Sequence, residues 1–189
     1  MKALIAAAAL LLLAAATPAL ATDVEADVAA ARAVVKTFAT TLQGALKAAV
    51  AEDGFAHAID VCHQAAPKIA ETVSAESGWQ VGRTALRLRN PENAPSAAER
   101  AVLEDFLRRA EAGEDIAKME HTAEAQRDGQ RMLHYMKAIP VGEVCTTCHG
   151  QSVEPALLAR IRQSYPADQA TGFALGDLRG AFTLYKPLD

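Results

Sequence analysis

Aromatic side chains are scarce in this sequence: they make up 5% of residues, with a single tryptophan, Trp79. A core short of rings must be filled by Ala, Leu, Val and Ile, or by a bulky apolar group that is not an amino acid. Neither sign of charge dominates: 19 basic residues face 23 acidic ones, for a net charge of −4. That balance lacks the basic excess with which proteins hold nucleic acid or an anionic membrane. There is no internal repeat and no linker rich enough to divide the chain. At 189 residues it is long enough for one well-buried domain and short for two.

Only the N-terminus carries a long apolar run. Lys2 precedes an uncharged stretch from Ala3 to Ala16, Pro18 breaks it, and Ala19-Leu20-Ala21 has the small-x-small pattern of a signal peptidase site. Together these predict a secretory signal over 1–21 and a mature domain over 22–189, exported to the periplasm or a similar compartment. The run is shorter than the ~18 residues of a membrane span, so no membrane anchor is expected after cleavage. Loss of Lys2 would move the net charge from −4 to −5.

Cysteines number three, at 62, 145 and 148. An exported protein usually pairs its cysteines, and an odd count leaves one over. Cys145-Thr146-Thr147-Cys148-His149 offers another use: it is C-x-x-C-H, the attachment signature of a c-type haem. Two intervening residues let one helical turn present both sulfurs to the two vinyl groups of the porphyrin. His149 then supplies an axial nitrogen to iron. A zinc site would need a second ligand pair, and a thioredoxin-like site a preceding strand; the sequence shows neither. One covalent haem c is expected.

Apolar residues recur at intervals of three and four over 24–51 and again over 55–77, with Asp53-Gly54 between them and Gly78 as a stop. These predict two long helices. Alternation from Trp79 to Leu88 predicts a strand, and Asn90 to Pro95 a loop. Ser96 with Glu99 is a capping box for a helix reaching about Ala112. Strands are expected near 115–122 and 130–138, a small helix over 154–163, and strand segments within 172–185. Helices first and short strands after indicate an α+β fold rather than a helical bundle.

A haem with one histidine has an open side. Cys62, His57, His63, His121, His134, Met119, Met132 and Met136 are the candidates to fill it. Met and His are the usual partners. Cys62 is the unusual one, placed mid-helix on the apolar face. It reads either as a buried inert cysteine or as a thiolate bound to iron.

Four segments together resemble a family: Ala58 to Cys62 with Ala66 to Ala70; Gly82-Arg83-Thr84 with Arg89 to Pro95; Cys145 to Gly150; and Gly176 to Ala181. They are similar to the single-haem periplasmic cytochromes with a PAS-like fold, long catalogued as a domain of unknown function and also found fused to histidine kinases. The resemblance implies a PAS-like antiparallel sheet with long N-terminal helices packed against it, and a haem in its pocket. It also implies axial ligation by His149 and Cys62. Arg83, Arg87 and Arg89 alternate along one predicted strand, and Arg179 lies between two glycines; guanidinium binds carboxylate bidentately, so these read as propionate contacts or as solvated surface.

With both axial positions taken, the expected function is a one-electron redox carrier of low potential, serving an unidentified redox partner protein. The alternative is a redox or gas sensor module acting through a signalling partner, since the chain contains no effector domain. A haem peroxidase-type enzyme is the less favoured third reading: no acid–base constellation is visible beside the open side of the iron, so no catalytic residue is expected.

Overall fold

The structure, a computed structural model, describes residues 19–188. Most of the expected signal segment, residues 1–18, lies outside the described residues. Helix α1 spans Ala19–Asp60 and is broken at Asp53 and Gly54, whose backbones leave the helical region; Gly54 has φ 72°. That is the expected interruption, made where glycine accepts a left-handed backbone. A π-turn over Val61–Ala65 follows, in which the Ala66 N–H reaches back to Val61 O. Helix α2, Ala66–Ser77, ends at Gly78 in the left-handed conformation, with the Gly78 N–H bonded to Ser74 O at 3.1 Å.

Strand β1 (Gln80–Thr84) is followed by α3 (Ala97–Glu111), β2 (Glu120–Arg127), β3 (Gln130–Pro140), α4 (Glu143–His149), α5 (Pro155–Ser164) and β4 (Leu178–Pro187). The capping box at the start of α3 is complete: Glu99 N–H donates to Ser96 Oγ, and Ser96 N–H to Glu99 Oε2. The strands form one antiparallel sheet in the order β1-β4-β3-β2. This is the expected α+β architecture, an antiparallel sheet with long N-terminal helices against it.

Two predicted strand boundaries need correction. The stretch predicted as a strand from 115 opens instead with a 3-10 turn over Ile116–Lys118, capped by Asp115, whose carboxylate accepts from Ala117 N–H. Ile116 and Met119, three apart, suit that turn rather than a strand, and β2 starts at Glu120. Strand β1 stops at Thr84, so Arg87 and Arg89 stand on the loop beyond it.

The two faces of the sheet are covered differently. Ala31 and Val35 of α1 pack on Trp79, Leu133, Tyr135 and Leu184. On the other face Val102, Leu103 and Phe106 of α3 pack on Met119, Met136, Ala138 and Ala181. Alternate residues along β3 and β4 thus serve opposite layers. Among the described residues, no helix is long and apolar enough to cross a membrane.

Candidate functional site

A cavity opens where the broken part of α1 passes the end of the sheet. Its volume of about 220 Å³ far exceeds the ~10–15 Å³ that one water needs. Leu42, Leu46, Phe55, Ala58 and Ile59 line the helix side; Ile139, Pro140 and Phe182 line the sheet side; Val144 and Tyr165 complete the lining. Cys62, Cys145, Cys148 and His149 all face this one space, together with Arg83, Arg89 and Arg179.

Cys145, Cys148 and His149 lie on α4, a helix of two turns, as the spacing of the motif requires. All three cysteines are free thiols. Gly150 ends α4, and its N–H returns to Thr146 O at 2.8 Å. The chain then runs beside Phe173, whose N–H donates to His149 O at 3.0 Å. His149 Nδ1 is bonded to Ala170 O at 2.6 Å. A carbonyl only accepts, so Nδ1 carries the proton and Nε2 is left with its lone pair. Burial, with Arg179 and Arg89 nearby, pushes the His149 pKa down to about 3. The ring is neutral, in the tautomer that a metal-binding histidine adopts.

Cys62 reaches the same cavity from the π-turn. Burial pushes its thiol pKa up, while Arg83, Arg89 and Arg179 pull it the other way. Of the eight candidates for the open side of the iron, Cys62 alone lines the cavity. Met119, Met132 and Met136 are buried in the core, outside the cavity lining. His134 is stacked on Tyr185 at 4.1 Å. His63 is exposed and meets the ring of Tyr165 edge-on. His57 and His121 lie outside the cavity lining.

The four arginines separate. Arg83 and Arg179 line the cavity and, among the described residues, neither forms a salt bridge. Burial lowers the pKa of both, Arg179 to about 10. Arg89 also borders the cavity, but its guanidinium is taken by Asp168, with Nε–Oδ1 at 3.0 Å and Nη2–Oδ2 at 3.1 Å. Arg87 lies outside. It donates to Gln169 O and Thr171 O and covers the ring of Phe173 at 4.1 Å.

The chain matches the Tll0287-like family over residues 14–187. It belongs to that family. The crystal structure of the cyanobacterial haem protein Tll0287 superimposes with a TM-score of 0.60 at 28% identity, covering 92% of this chain and 98% of that one. No curated protein matches the chain. Sequence reasoning missed Asp168 and the Ala170 carbonyl, which carry no signal of their own; nothing in the residue types says that they meet Arg89 and His149.

Proposed function

We propose that this chain is an exported protein carrying one covalent haem c and passing single electrons to a partner protein, with no catalytic reaction of its own. The observation that carries this reading is the gathering of Cys145, Cys148, His149 and Cys62 on one apolar cavity beside two guanidiniums without anionic partners. Membership of the Tll0287-like family, and the haem protein among its structural relatives, support it.

Haem supplies a one-electron couple. Cys145 and Cys148 would hold the group through two thioethers, each thiol adding its sulfur and its proton across one vinyl double bond with no oxidant consumed. His149, through Nε2, and Cys62, through its sulfur, would be the residues to hold the iron. An anionic sulfur favours the ferric state, which places the potential below that of His/Met cytochromes. Arg83 and Arg179 would hold the propionates, whose negative charge would offset the cost of burying two guanidiniums that meet no carboxylate among the described residues.

Replacing Cys62 by Ser and recording the ferric spectrum tests the thiolate: loss of the low-spin thiolate signature is expected, and an unchanged spectrum sinks the assignment. The placement of Cys62 in a π-turn, a form often found at functional sites, favours a second reading. In it, release of Cys62 on reduction or gas binding moves α2 and signals to a partner. Carbon monoxide added to the reduced protein separates the two: rapid binding supports the sensor, inert low-spin iron the carrier.

A further inference from the structure

The Ala170 carbonyl that accepts the His149 Nδ1 proton is itself held in place. Its own N–H donates to Asp168 Oδ1 at 3.0 Å. Its oxygen also accepts from Arg89 Nη2 at 3.2 Å. The same Nη2 donates to Cys148 O at 2.6 Å, on the last turn of α4. Arg89 thus grips both the helix that carries the imidazole and the strand-like strap that the imidazole is bonded to. Asp168 locks Arg89 from behind. Their side chains are 10% and 2% exposed, so this is a buried ion pair.

A buried pair of this kind costs desolvation and is weak evidence for stability. Every acceptor it uses lies within one residue of His149 or on its hydrogen-bond partner, which is the pattern of a group that orients a ligand from behind. We infer that Arg89 and Asp168 are positioning residues which, through the Ala170 carbonyl, hold the His149 ring in one orientation and one tautomer. Arg89 therefore serves His149 rather than a propionate. The inference rests on His149 being the proximal ligand for its purpose, but the geometry it invokes lies wholly within the chain.

The test uses the full chain, prepared both without haem attachment and with it. Long-range 15N–1H spectra of the haem-free protein report the His149 tautomer directly. The wild type is expected to show the Nδ1–H form alone. Asp168→Asn is nearly isosteric and keeps the acceptor for Ala170 N–H, yet loses the charge that holds Arg89. In that variant the Nε2–H form is expected to rise about tenfold, the worth of roughly one hydrogen bond. Arg89→Lys, which keeps the charge and loses the fork, is expected to do the same. A single Nδ1–H tautomer in both variants, with the fold retained by circular dichroism, would overturn the inference. In the haem-loaded protein, a shifted potential is expected alongside. If no haem is incorporated at all, the proposed function fails while the tautomer result still decides the role of Arg89 and Asp168.

Discussion

The hydroxyl of Thr183 donates to Glu99 Oε1 at 2.7 Å, and the same oxygen lies 3.0 Å from His134 Nε2, from which it accepts. This buried chain links β3, β4 and the N-terminal cap of α3. Burial pushes the His134 pKa from 6.5 down to about 4. The folded protein therefore holds His134 neutral where the unfolded chain takes up a proton. The contribution of this group to stability is fully present above pH 6.5 and is lost as pH falls from 6.5 toward 4, by about 3 kcal/mol in all. Urea unfolding at pH 7.5, 6 and 5 should show the decline, and His134→Phe should make it shallower, leaving the part that the buried neutral His149 contributes over the same window. A wild-type stability constant across that range would contradict the burial of a neutral ring.

Thr183→Val keeps the side-chain shape and removes the shared hydroxyl. Glu99 Oε1 and His134 Nε2 then lose a partner inside the protein, at a cost of about 1–3 kcal/mol. Because Glu99 also caps α3, hydrogen exchange should quicken first in the opening turn of that helix.

Two glycine substitutions should act in opposite directions. A Cβ on Gly150 would overlap Thr146 O, the acceptor that closes α4, whereas a Cβ on Gly44 meets nothing within 4 Å. Gly150→Ala is expected to destabilise by about 1–3 kcal/mol and to lower haem incorporation. Gly44→Ala, in the interior of α1, is expected to stabilise by about 0.5–1 kcal/mol. Thermal melts and the ratio of haem absorbance to protein absorbance check both.

Arg83 and Arg87 read alike in sequence but face different spaces. Arg83→Gln removes a positive charge from the cavity wall and should lower the reduction potential, an effect on the order of 1 kcal/mol. Arg87→Gln removes a charge outside the cavity, so its shift should be clearly the smaller of the two, arising only through the Gln169–Thr171 strap. Equal shifts for both would refute the assignment of Arg83 to a propionate.

Much of this organisation was legible in the sequence where local chemistry decides structure. The Ser96/Glu99 cap, the stops at Gly54 and Gly78, and the helical C-x-x-C-H turn all depend on residues within a few positions of one another. Where distant contacts decide, the pattern misled or fell silent. Phe55, Ile59, Cys62, Ala66, Ile69 and Val73 read as one continuous apolar face. The π-turn adds a residue and turns the helix by roughly 100° there, so Cys62 faces the cavity while α2 docks on β1, with Val81 N–H donating to Ser74 Oγ. Periodicity cannot show such a slip, since both halves keep the same spacing. The fates of Arg87 and Arg89 were equally hidden, because their partners lie about eighty residues downstream.

The wide turn at Val61–Ala65 is also a place where chain length can vary. A helix holding one residue beyond what its rise requires can shed it and remain helical. The sheet, anchored by other elements, need not move. Such a loss would bring the cavity wall and α2 into common phase, leaving either Cys62 or Val73 without its present surroundings. Relatives one residue shorter in this segment are therefore expected to differ at the position of Cys62 or of Val73 as well, the two changes descending together.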